Sequence, residues 1–252
     1  MKKMHRLVVI MIAVVALIML NMPAYASKMD DRIESSARSS YVFKTYLKGD
    51  DIKIESKDGA VTLTGIVSEE SHMSLARETV ASLPGVKSVD NKLEVKRERP
   101  AKDSDAWLST KVKTMLLFHR NVSAITEVNT KDGIVTLRGE ATNQAKKDLT
   151  TEHAKDVEGV KDVSNEMTVA KVSEKKQTVG EKIDDASITA QVKMTLLYHR
   201  STSALNTSVT TKDGVVTLIG KAKNAAKKDL AGKLANDVNG VKTVNNQMTI
   251  EQ

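Results

Sequence analysis

The chain has 252 residues, no cysteine, 28% charged residues and a net charge of +7. Without cysteine there is no disulfide, no thiol nucleophile, no zinc–thiolate site and no thiol behind a leader to carry a lipid. Setting aside residues 1–26, which hold three basic and no acidic residues, lowers the charge to +4. That is far from a nucleic-acid-binding composition, so no nucleic acid is expected among the partners.

Residues 1–26 have the layout of a secretory signal peptide. Met1 to Arg6 is basic, Leu7 to Leu20 is an unbroken apolar run, and Ala24-Tyr25-Ala26 is a small-x-small pattern that predicts cleavage after Ala26. The apolar run is shorter than the roughly 20 residues a membrane-spanning helix needs. The reading is therefore an exported chain that is soluble after cleavage.

The remainder repeats itself three times. Lys57-Asp58-Gly59-Ala60-Val61-Thr62-Leu63-Thr64-Gly65 recurs from Lys131 to Gly139 and from Lys212 to Gly220. Gly85-Val86-Lys87 recurs as Gly159-Val160-Lys161 and Gly240-Val241-Lys242, at the same spacing from the first signature each time. Aligned without gaps, Gly139–Val169 and Gly220–Ile250 agree at 18 of 31 positions. Three copies of one module follow, over residues 28–97, 103–170 and 184–252. The polar run Glu98 to Lys102 and the charged stretch 171–183 are read as linkers.

Within each module the periodicity changes in a fixed order. A first helix shows an apolar stripe with a spacing of four: Leu108, Val112 and Leu116, then Ile188, Val192 and Leu196, with a looser version at Ile33, Ala37 and Tyr41. Asp105 and Asp185 stand where N-caps are expected. A short strand follows, such as Ile52 to Ser56, and the Asp-Gly pairs at Gly59, Gly133 and Gly214 mark hairpin turns. The next strand alternates, with Val61 and Leu63 on one face. A second helix is predicted over 70–83, 143–157 and 224–238, with Gly85, Gly159 and Gly240 as its C-terminal stops. A last strand carries Val89, Leu93 and Val95 and their counterparts. The fold class is α+β, three tandem α-β-β-α-β modules, each with two helices on a three-stranded sheet. The pattern leaves open whether the last strand pairs with the first or the second.

The sequence Asp-Gly-x-Val-x-Leu-x-Gly, a helix, then Gly-Val-x-x-Val-x-Asn-x-Leu/Met resembles the BON domain. The resemblance implies an α-β-β-α-β fold, a periplasmic or envelope location, a role in osmotic or related stress, and phospholipid binding or an adaptor function. It implies no catalytic residue and no cofactor.

The candidate contact residues are few. The repeated glycines lack the Gly-x-x-x-x-Gly-Lys-Ser/Thr arrangement of a phosphate loop and are read as structural turns. His119 and His199 recur in Leu-Leu-Phe/Tyr-His-Arg and are placed at a helix end, where a cation meets carbonyls favourably. No further metal ligands stand at useful spacing, so no metal site is expected. Asn91, Asn165 and Asn246 recur on the last strand and are expected to satisfy backbone groups there. No nucleophile elbow or other catalytic spacing is present, so the chain is not read as an enzyme.

Trp107 aligns with Ser187 and is expected to stand outside the core at a helix start beside Lys111, suiting a membrane interface or a partner groove, or else partial packing against a neighbouring module. The module charges are 0, −2 and +3, and Lys221, Lys223, Lys227 and Lys228 cluster in the third. Together these six residues form the expected contact with an anionic phospholipid surface, peripheral and multivalent. The rival readings are an interaction or chaperone-like module for envelope proteins, and a scaffold that assembles through sheet edges.

Overall fold

The computed structural model describes residues 22–96, 104–120, 122, 126–169, 182–203 and 206–251. The predicted signal lies outside these residues, except that the backbone of 22–26 is the start of a helix. Most of both linkers is likewise outside them. No described helix is long and apolar enough to cross a membrane.

Module 1 consists of α1 (Met22–Ser39), the short α2 (Tyr41–Thr45), β1 (Asp51–Lys57), β2 (Ala60–Val67), α3 (Glu70–Ala81) and β3 (Ser88–Val95). Module 2 has α4 (Asp105–Phe118), β4 (Thr126–Lys131), β5 (Ile134–Ala141), α5 (Gln144–Lys155), β6 (Asp162–Asn165) and β7 (Thr168–Val169). Module 3 repeats that plan as α6 (Asp185–Tyr198), β8 (Thr207–Lys212), β9 (Val215–Ala222), α7 (Ala225–Asn236), β10 (Thr243–Asn246) and β11 (Thr249–Ile250). The last strand pairs parallel to the second, which is central, while the first pairs antiparallel on its other side. A parallel neighbour needs a crossover, and the second helix supplies it.

The Asp-Gly turns have left-handed backbone at both residues, with φ near +54° at Asp58, Asp132 and Asp213 and between +79° and +83° at the glycines. This is the type I′ pattern that joins twisted strands through two residues. A carboxylate from the first helix holds each turn. Asp105 accepts the N–H groups of Asp132 (2.7 Å) and Gly133 (2.9 Å), and Asp185 those of Asp213 (2.7 Å) and Gly214 (2.8 Å). Asp30 does the same in module 1, from Asp58 and Gly59, and also accepts the Ser56 hydroxyl. The expectation that Asp105 and Asp185 are N-caps is therefore corrected. Ser104 and Asp184 cap the helices, accepting from the N–H of Trp107 and Ser187, which releases the next residue to reach across to the hairpin.

Gly85, Gly159 and Gly240 do not end the second helices, as expected of them; each lies three residues past the C-cap. With φ of +85° to +98° they close the turns into the last strand, where Val86 donates to Leu83, Val160 to Val157 and Val241 to Val238. Pro84 precedes Gly85, as a type II turn favours. Asn91, Asn165 and Asn246 tie the last strand to the second helix. Each donates to a helix carbonyl (Met73, Lys147, Lys228) and accepts the N–H two residues on.

The modules are packed against one another. In α6, Ile188, Val192 and Leu196 enter the core of module 3, while Ala186, Ala190 and Met194 on the opposite side join the core of module 1. Gln191 and Thr195 are fully buried too, so between Ala186 and Leu196 the helix is covered on nearly every side, with Lys193 partly exposed and Leu197 exposed at its end. Asp184 and Ser187 accept the N–H groups of Tyr41 and Val42, and Lys193 pairs with Glu78 at 2.9 Å.

Candidate functional site

The six predicted contact residues separate into two groups on different modules. Trp107 stands in the first turn of α4 and is half-buried rather than exposed. Lys111, one turn on, lays its Nζ 4.2 Å from the Trp107 ring centroid and 5.6 Å from that of Tyr198. A cation over an aromatic face is attracted by the ring quadrupole. Lys111 is only 2% exposed; its ammonium donates to the Glu158 carbonyl at 3.0 Å and pairs with the Glu158 carboxylate at 3.7 Å. Helical spacing does bring the two residues together, but α4 turns this face toward module 3. Lys111 is thus an internal cation and not a charge offered to a surface. Burial pushes the neighbouring Tyr198 phenol up to about 12, assisted by the Glu70 carboxylate.

The other side of Trp107 lines an open cleft of about 760 Å³ between modules 1 and 2, with Glu69, Val95, Thr110, Val128 and Asn129 among its walls. The end of β3, part of β4, the start of α3 with the loop before it, and the start of α4 form it. Its lining is more apolar than polar, with the Trp107 indole part of it.

The four lysines share one end of module 3. Lys221 and Lys223 lie exposed at the end of β9 and just beyond it, either side of buried Ala222. Lys227 and Lys228 are half-buried in the first turn of α7, which starts at the Asn224 cap. Among the described residues none of the four is ion-paired. Module 2 carries Glu140 and Thr142 where Lys221 and Lys223 stand.

A third cluster escaped the sequence reading. His119 caps α4 and is 2% exposed. Its Nδ1 lies 2.8 Å from Asp237 Oδ2, and its ring stacks on His153 with centroids 3.8 Å apart. His153 Nε2 lies 3.3 Å from the same Asp237 oxygen. Burial pushes His119 below its ordinary 6.5, against the pull of Asp237. Burial works to raise Asp237, but the two imidazoles outweigh it and hold the carboxyl well below the usual carboxylate range.

This cluster belongs to a reciprocal joint between modules 2 and 3. Arg120 N–H donates to the Asp237 carbonyl and Asn239 N–H to that of Phe118; Arg200 N–H donates to the Asp156 carbonyl and Glu158 N–H to that of Tyr198. The two short antiparallel bridges, His119 with Val238 and Val157 with His199, are related by pseudo-two-fold symmetry. The Arg120 guanidinium closes its side by donating to the carbonyls of Asn236, Val238 and Val241, and Arg200 donates to Val160. The repeated His-Arg pair is the seam between modules, and its role at its own helix end is secondary. One signal for the cluster was present in the sequence: the gapless alignment sets His153 against Leu234.

Comparison with known proteins matches the family described as BON domain three times, at residues 29–97, 104–171 and 184–252. The chain is 34% identical to the osmotically-inducible protein Y of Escherichia coli over 145 residues, 57% of this chain and 71% of that protein. It is 31% identical to the outer membrane lipoprotein DolP of Haemophilus influenzae over 142 residues, 56% of this chain and 71% of that one. Among solved structures, CdsD, a structural protein of the type III secretion system of Chlamydia trachomatis, aligns with a TM-score of 0.24 and 16% identity, over 87% of this chain and 90% of that one.

Proposed function

Since the chain belongs to the BON domain family, we propose that it is a non-enzymatic protein of the bacterial envelope that binds anionic phospholipid surfaces peripherally through several weak contacts. The supporting observation is the lysine patch of module 3: four cations at one end of the module, none ion-paired among the described residues. Each basic residue near an anionic surface contributes about 1 kcal/mol. Trp107 supplies the second contact, where its indole borders the cleft between modules 1 and 2. Lys111 takes no part. Export through the signal over residues 1–26, with cleavage after Ala26, belongs to this proposal, as does service under osmotic or related stress.

Linked weak sites gain avidity when they can engage one surface together, and the packed modules hold these two contacts in one orientation. Flotation with vesicles rich in phosphatidylglycerol, against purely zwitterionic ones, tests the reading. The expected result is binding to the anionic vesicles alone, weakening as salt rises. K221A/K223A should lower the partition coefficient roughly 30-fold, from about 1 kcal/mol per lysine. A folded protein that floats with neither vesicle defeats the proposal and favours an envelope-protein client.

A further inference from the structure

We propose that His119, His153 and Asp237 form a binding site for a divalent transition-metal ion of the Zn²⁺ class, which would clamp module 2 to module 3. One ligand atom from each of the three residues lies within 4.8 Å of the other two. Two imidazole nitrogens and a carboxylate oxygen are a donor set such ions take, with a fourth position left for water. Donors around a tetrahedral zinc stand about 3.3 Å apart, given metal–ligand bonds of about 2.0–2.1 Å. The 2.8 Å and 3.3 Å separations at Asp237 Oδ2 are within a small adjustment of that value. Coordination would turn the two rings out of their parallel stack, so that both lone pairs converge on the ion.

A second observation points the same way. His153 Nε2, the ring nitrogen that faces Asp237 Oδ2, is buried without a hydrogen-bond partner, and a buried polar atom left so carries its full desolvation cost. His153 Nε2 is close to Asp237 yet lacks hydrogen-bond alignment with it. The pseudo-symmetric half of the joint has no such cost: Leu234 replaces His153, and only His199 faces Asp156, at 3.7 Å. Module 1 carries Thr79 at the equivalent position. A histidine where a leucine packs equally well is what a ligand requires and a core does not. The donors stand at helix ends, on rigid elements: His119 and Asp237 at C-caps, His153 in the last turn of α5. The Asp237 side chain, 27% exposed, leaves a path for the ion and its water.

Zinc titration of the purified, chelator-treated protein by calorimetry tests this. The expected result is one ion per chain, with affinity lowered at least tenfold in both H153L and D237N and unchanged in H72A, which removes a separate pair in module 1, where His72 Nδ1 lies 2.6 Å from Asp50 Oδ2. H153L should fold, since leucine occupies that position in module 3. Zinc should raise the melting temperature of the wild type and not that of H153L, and X-ray absorption of the loaded protein should show two imidazoles on the metal. Failure of the wild type to take zinc at micromolar concentration overturns the site. So does undiminished binding by H153L, or a spectrum without imidazole.

Discussion

Asp30, Asp105 and Asp185 each use one carboxylate to hold two consecutive backbone N–H groups of a type I′ turn whose aspartate already sits in the left-handed region. Removing the acceptor leaves two donors unpaired beside a strained residue, and hydrogen bonds to a charged group contribute about 1.5–3 kcal/mol each. D185A should therefore destabilise module 3 by about 2–4 kcal/mol, read as a lower urea midpoint in equilibrium unfolding; an unchanged midpoint would show that the turn holds itself. A pH effect belongs at this scale as well. His119 and His199 both have ring pKa values pushed below the ordinary 6.5, by burial first, with Asp237 and Asp156 respectively pulling the other way and His153 and Arg200 nearby adding to the depression. The unfolded chain then takes up protons that the folded one refuses. Their contribution is complete above pH 6.5 and is lost as pH falls below it. The melting temperature should drop between pH 7 and pH 5, and drop less in H119N, which leaves only the His199 share of the effect.

Between elements, the decisive contacts are the two bridges that join the ends of α4 and α6 to the ends of α7 and α5. Arg120 donates to three carbonyls that no helix or strand satisfies. R120A should cost about 2–3 kcal/mol, the range for charge-assisted hydrogen bonds, and should split a single thermal transition into two by loosening modules 2 and 3. Calorimetry that still shows one transition at the wild-type temperature would contradict the clamp. The sequence reading saw His119 and His199 repeat and assigned them to their own helix termini. It could not see the partner helix ends, because the partner is a different module and periodicity reports only local neighbours.

At the scale of the whole molecule, α6 unites the chain: one face fills module 3, the other completes module 1. Ala190 is fully buried on that second face. A190D would bury an unpaired charge there and should detach module 1, increasing the radius of gyration in small-angle scattering while modules 2 and 3 stay folded. The same detachment would open the cleft that Trp107 shares with module 1, while Trp107 and the lysines stay fixed relative to one another on the joined modules 2 and 3. Vesicle binding in A190D should accordingly persist near the wild-type level, and its loss would show that module 1 carries part of the contact.

The α-β-β-α-β order, the three modules and the hairpin turns were legible in the residues themselves. Each depends on short-range physics: a change of period from 3.6 to 2, the positive φ that Asp-Gly accepts, and a motif repeated three times. The clustering of the four lysines was legible as well, although only Lys221 and Lys223 are exposed and Lys227 and Lys228 are half-buried. Four things required the tertiary structure. These are the pairing of the last strand with the second, the burial of Lys111, the His119–His153–Asp237 cluster and the burial of two opposite faces of α6. In each, the deciding neighbour comes from a distant part of the chain, often another module, and an apolar stripe records that a face must be covered without recording what covers it.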